Sequence, residues 1–170
     1  MPSRRQAIKR IVVGVDGSDH SADALQWVIR LAHDLKVEVI AVYAIPAPSS
    51  LEFVDVYGAW IVPPELFPEW RAERKRAFEE DWCKPLHDAG VAYRTVLEDG
   101  RPASVIAAVA DREDADLIVV GRRGRGEVAE LLLGSVSYEL THHCKRPVLL
   151  VSGPAVPRKE ATAARTVASA

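Results

Sequence analysis

Cysteine is scarce in this chain: Cys83 and Cys144 are the two among 170 residues, and they lack C-x-x-C spacing. That excludes a disulfide framework and fits a reducing compartment, here expected to be the cytoplasm. Net charge is also nearly absent, with 22 basic residues against 24 acidic giving −2. Bulk attraction to nucleic acid or to an anionic membrane is therefore not expected. No apolar run approaches the roughly 20 residues that span a bilayer, and Met1 to Arg10 carries basic residues without a long apolar core behind them. Catalytic signatures are missing too. There is no G-x-x-x-x-G-K-[ST] with its phosphate-binding lysine, Gly134-Ser135-Val136-Ser137-Tyr138 is not a nucleophile elbow, and no general base stands out beside an acid. A binding protein fits these absences better than an enzyme.

What is present is a core. Hydrophobic residues make up 48% of the chain, and a chain of this length buries about 70% of its unfolded surface, enough for one domain. Five β-branched runs alternate with helical patterns: Ile11 to Val15, Val37 to Ile45, Ala92 to Leu97, Leu117 to Val120 and Val148 to Val151. Such alternation predicts α/β architecture, a doubly wound parallel sheet with helices on both faces. The first helix is expected from Ser18 to Leu35 with Ala22, Leu25, Val28, Ile29 and Ala32 on its core face. A second is expected from Glu65 to Ala89, stopped by Gly90 and kinked near its end by Pro85, with Leu66, Trp70, Ala77, Phe78 and Leu86 inward. Further helices are expected from Ala103 to Arg112 and from Ser135 to His143. Residues 1–9 read as a flexible N-terminus, 10–152 as the folded domain and 153–170 as a disordered tail. The stretch from Pro46 to Pro64 reads as a long loop at a strand end, equally suited to covering a ligand and to being a surface excursion.

The feature that speaks most directly of function is Gly121-Arg122-Arg123-Gly124, nine residues, then Gly134-Ser135-Val136-Ser137, lying between an apolar run and a helical one. At a strand-to-helix crossover, glycines let the backbone approach a ligand and can adopt positive φ, while Ser135 and Ser137 add hydroxyls at a helix N-terminus whose dipole favours an anion. Each glycine alone also suits an ordinary strand end or loop. In an open parallel sheet, ligands gather beyond the carboxyl ends of the strands at the switch point, so Val15-Asp16-Gly17-Ser18 should face the glycine loop across a crevice. Asp16 suits either a ligand contact or an Asx-type turn.

The spacing G-x2-G-x9-G-S resembles the ATP-binding signature of the universal stress protein family. Four segments resemble the family in its order: Ile11 to Ser18, Gly100-Arg101-Pro102-Ala103, Ala115 to Gly121, and Arg146 to Val151. The resemblance implies a five-stranded sheet of order 3-2-1-4-5 and ATP as ligand, with or without Mg²⁺. It implies binding at Val15, Asp16, Val42, Gly121, Gly124, Gly134, Ser135, Val136 and Ser137, with Asp16 and the backbone near Val42 toward the base. It also implies a homodimer paired through Val148 to Val151, in a protein that responds to stress through nucleotide-dependent conformation. A weak ATPase, a nucleotide-free scaffold and a binder of AMP or a cyclic nucleotide stand as alternatives. The family pattern does not demand Arg122, Arg123 and Arg125 together, and their contact with phosphate is left open.

Two competing motifs fail. Gly124 to Ala129 matches G-x-G-x-x-A by letter, but no acidic residue closes the following strand as dinucleotide binding requires. His142 and His143 are adjacent and point about 100° apart on a helix, so they cannot share one ion.

Overall fold

A computed structural model describes residues 7–45, 66–124 and 133–153. Five strands form one parallel sheet: β1 (Arg10–Gly14), β2 (Glu38–Ile45), β3 (Tyr93–Asp99), β4 (Leu117–Gly121) and β5 (Val148–Val151). Their order across the sheet is β3-β2-β1-β4-β5, as the family resemblance implies. The register pairs Val13 with Ala41 on one side and with Val119 on the other. The expected loop from Pro46 to Pro64 and the C-terminal tail beyond Gly153 lie outside the described residues. Lys9, expected in a loose N-terminus, is tied to the sheet: its N–H donates to Asp116 Oδ2 at 2.7 Å and its carbonyl accepts from Glu38 N at 2.9 Å.

Because side chains alternate along a strand, the apolar runs divide their residues between two cores. Ile11, Val13, Val39, Ala41, Tyr43 and Val119 point to one face, packed with α1 (Asp19–Leu35). Val12, Ile40, Val42, Ile118 and Val120 point to the other, packed with α4 (Pro102–Arg112) and with Leu140 of α5 (Ser135–His143). Consecutive crossovers thus leave β1 and β4 toward opposite faces, and the switch point lies between their carboxyl ends.

Two local expectations need correction. The core face of α1 is formed by Ser21, Ala24, Leu25, Val28 and Ala32, with Ala22 exposed. The cap explains the rotation: Ser18 holds the helix start by accepting from Ser21 N, so Ser21 turns inward, and its hydroxyl donates to Ser18 O at 2.9 Å. The expected single helix up to Ala89 is instead three pieces. These are α2 (Phe67–Arg76), π-helical turns over Ala77–Trp82, and α3 (Lys84–Asp88). Pro85 lies in the first turn of α3, where its missing N–H costs nothing, and the break falls before it at Cys83. The wider π turns bring Phe78 and Trp82 against Tyr43 of β2, with ring centroids 5.6 and 5.1 Å away. Phe78, Cys83 and Leu86 are fully buried there, whereas Leu66 is exposed.

Candidate functional site

Asp16 and Gly17 leave β1 and turn the chain into α1. Gly17 has φ +78, a conformation that suits glycine. Asp16 Oδ1 accepts from Ser18 N at 2.9 Å and from Ser18 Oγ at 2.6 Å, the Asx arrangement. Ser18 Oγ in turn accepts from Ser21 N at 3.2 Å. These bonds hold the carboxylate in one orientation and occupy one of its oxygens.

The other oxygen, Oδ2, faces the glycine loop. A Cβ placed on Gly124 would lie 2.8 Å from Asp16 Oδ2, so the carboxyl ends of β1 and β4 meet across the crevice. Of the other two signature glycines, Gly121 is the more crowded and Gly134 the less. A Cβ at Gly121 would stand 2.6 Å from the carbonyl oxygen of His20 in the first turn of α1, and one at Gly134 would stand 3.2 Å from the Cα of Arg123. The sequence reading allowed these glycines positive φ. Among the described glycines, only Gly17, Gly90 and Gly100 have it, and Gly134 has φ −71. What the signature glycines supply is the missing Cβ. Through it the loop, the start of α1 and the start of α5 close to backbone distance.

Hydrogen bonds fix that closure. Arg122 N donates to Val151 O at 2.7 Å, while Arg122 O accepts from Gly134 N at 2.9 Å. Ser137 Oγ donates to the same Arg122 carbonyl at 2.6 Å and lies 3.3 Å from Gly121 O. Ser137 is 2% exposed, and its hydroxyl serves the loop. Helix α5 has Gly134 as its N-cap and no side-chain cap, which leaves its first turn without an internal acceptor from a cap residue. Ser135 is exposed at that start and Val136 is half-buried.

Val15 and Val42 frame the site from within. Val15 N donates to Val42 O at 2.9 Å, and the side chains are 3% and 1% exposed. Val42 belongs to β2 and Val15 follows the end of β1, both lie in the cores, and the Val42 carbonyl is committed to Val15 N. His20 is the participant that sequence reasoning missed: nothing in its surroundings announces that its backbone abuts Gly121. His20 Nδ1, Arg122 Nε and Arg123 Nε are buried and lack a hydrogen-bond partner among the described residues.

His142 stacks on Tyr138 with centroids 4.1 Å apart, and its Nδ1 is 2.8 Å from Tyr138 O. Among the described residues no group of three or more His, Cys, Asp and Glu is arranged to hold a metal, and no helix is long and apolar enough to cross a membrane.

A parallel sheet of order 3-2-1-4-5, with a glycine loop and an Asx turn meeting at its switch point, defines a doubly wound α/β protein of the kind whose ligands lie beyond the strand ends. A sequence model of the universal stress protein family matches residues 7–152, and the chain belongs to that family. It is 33% identical over 149 residues to universal stress protein MJ0531 of Methanocaldococcus jannaschii, covering 86% of this chain and 83% of that protein. It is likewise 33% identical over 149 residues to universal stress protein YxiE of Bacillus subtilis, covering 84% and 97%. Among solved structures it resembles hypothetical protein MJ0577, with TM-score 0.71, 28% identity and coverage of 86% and 96%. It also resembles a universal stress protein in complex with cAMP, with TM-score 0.60, 26% identity and coverage of 86% and 98%.

Proposed function

We propose that this chain binds ATP in the crevice between Asp16 and the segments Gly121 to Gly124 and Gly134 to Ser137. It then acts in the cytoplasm by changing conformation or partner with the bound nucleotide. The observation that carries the reading is the crowding at Gly124: a missing side chain lets the loop backbone reach an oriented carboxylate, beside a helix start without a cap. Gly121, Gly124 and Gly134 shape the cradle, and Ser137 anchors it through Arg122 O. Amides at Ser135 and Val136 offer donors to phosphate oxygens, and Asp16 Oδ2 is the free acceptor for a base amine or a ribose hydroxyl. Val15 and Val42 hold the wall of the crevice rather than reaching the ligand. Among the described residues Asp16 is the carboxylate at the loop, so a divalent cation would take further ligands from phosphate and water.

Binding is tested by titration calorimetry with ATP. Heat in the native protein that disappears in Gly124→Ala, with the fold intact by circular dichroism, supports the site. No heat with any adenylate removes it. The cAMP complex of the 26% identical relative favours a second reading, a cyclic or monophosphate nucleotide, which the same titration separates by affinity. For a slow ATPase, phosphate release would have to fall in the same variant.

The proposal includes a homodimer formed by β5 against its copy. Among the described residues β5 pairs only with β4 and closes one edge of the sheet, and Leu149 and Leu150 line a groove with Trp27. Edge pairing would satisfy the outer backbone groups of β5. A dimer mass by light scattering that falls to monomer in Leu149→Lys supports it, and a monomer mass at micromolar concentration overturns it.

A further inference from the structure

We propose that α2 is a hinged strap, pivoting on the π turns at Ala77–Trp82 and fastened to the sheet by the Arg71–Asp99 ion pair, so that ionic strength sets how often it lifts. The inference is independent of the nucleotide reading.

Helix α2 buries none of its residues, whereas α1 and α4 bury five each. A helix seated this lightly gains little from tertiary packing, the main source of helix stability in proteins. What favours its helical form is local. Pro68 lies in the first turn with Glu69, and Arg74, Lys75 and Arg76 lie in the last, charges that complement the helix dipole. They act whether or not the helix is docked, so α2 can move as a unit. Two ties to the sheet stand among the described residues. Phe67 and Trp70, half-buried and stacked with centroids 5.6 Å apart, rest against the core face that α1 also covers. Arg71 then grips Asp99 with both prongs, Nε donating to Oδ1 at 3.3 Å and Nη2 to Oδ2 at 3.1 Å. Asp99 ends β3 and is fixed in place, since the next residue, Gly100, donates its N–H to Ile45 O at 2.9 Å. The side chains of Arg71 and Asp99 are 38% and 58% exposed, so salt screens their attraction.

Beyond α2 the chain is anchored. Phe78, Cys83 and Leu86 are fully buried, and Phe78 and Trp82 pack on Tyr43. Between the loose helix and this anchor lie the π turns, where Cys83 N reaches back to Phe78 O at 3.1 Å, one residue further than in a regular helix. Such a break in the ladder is where a helix bends. Lys75 and Glu79 pair across the junction and keep it in line at rest. When α2 lifts, Phe67, Trp70 and the core face beneath them meet solvent, while Phe78 and Cys83 stay covered.

Amide hydrogen exchange of the full chain, read by mass spectrometry, tests this, with the fold of each variant checked by circular dichroism. Amides of α2 should exchange faster than those of residues 78–88, as a locally opening unit does. Asp99→Asn and Arg71→Gln should each speed α2 exchange about two- to fivefold, the factor an exposed ion pair supplies, and leave residues 78–88 unchanged. Raising KCl from about 0.05 to about 0.5 M should do the same in the native protein and much less in either variant. The reversed pair, Arg71→Asp with Asp99→Arg, should return the native rate. Protection of α2 equal to that of residues 78–88, or α2 exchange indifferent to both salt and the variants, overturns the strap. Iodoacetamide labelling of Cys83 in the native protein, in step with α2 exchange, would carry the opening past Trp82 and overturn the hinge.

Discussion

Gly121→Ala isolates the close approach on which the crevice depends. The added Cβ would lie 2.6 Å from His20 O, 2.7 Å from His20 C and 2.8 Å from His20 Cβ. The first two are backbone atoms of α1, so no rotamer change relieves the clash. The start of α1 or the end of β4 would have to retreat by about 0.8 Å to restore ordinary contact. Both are held, β4 by pairing with β1 and β5, and α1 by its Ser18 cap. Overpacking of this kind costs about 1–3 kcal/mol, with the upper end expected against backbone, and is offset by about 0.4–1 kcal/mol of reduced chain entropy. A net loss of about 2 kcal/mol lowers the melting midpoint by about 4–8 °C in a chain of this size. Urea unfolding should show a lower midpoint at unchanged slope. Gly124→Ala is the contrast: its Cβ meets a side-chain oxygen of Asp16 at 2.8 Å, which can rotate away by giving up its Ser18 bonds. It should cost less than about 1 kcal/mol, as the loss of one part-buried local bond set does. If Gly121→Ala unfolds within about 0.5 kcal/mol of the native protein, or if Gly124→Ala is the more damaging, the steric reasoning is wrong.

Ser137→Ala removes the hydroxyl that bonds Arg122 O and should cost about 1–2 kcal/mol by urea unfolding, with the loop loosened. Asp116 accepts from Lys9 N and Arg10 N, and these backbone bonds hold its carboxyl below the ordinary carboxylate range. Its stabilisation is therefore complete above about pH 5 and lost as acid protonates it, so the gap between native protein and Asp116→Ala, about 1 kcal/mol after solvent screening, should close below about pH 4. Burial, with a smaller contribution from Glu79, pushes the Cys83 thiol up to about 12. At pH 8, iodoacetamide should label the partly exposed Cys144 in the native protein and both thiols only in denaturant, read by mass.

The sheet was legible in the sequence because a parallel strand covered on both faces must be continuously apolar, and Ile11-Val12-Val13 and Leu117 to Val120 are. The order of the strands came from the family resemblance rather than from periodicity. Less legible was the segment from Phe67 to Asp88. Helical spacing predicts one helix there, but seating Phe78 and Trp82 on Tyr43 widens its turns, a tertiary effect with no local signature. The glycine spacing pointed to the loop but not to how it works. Conformational freedom is what glycine suggests in isolation, whereas Gly121, Gly124 and Gly134 are used for the space they leave. Ser137 and Val42 read as ligand contacts from the resemblance. Their hydroxyl and carbonyl turn out to be committed to Arg122 and Val15, partners distant in sequence that only the fold brings together.

The most direct test of the nucleotide crevice is to titrate ¹⁵N-labelled protein with ATP and follow backbone amide resonances. The amides from Val15 to Ser18, Gly121 to Gly124 and Gly134 to Ser137 should shift together and saturate with one affinity. Shifts confined to the groove of Trp27, Leu149 and Leu150, or none at all, would contradict it.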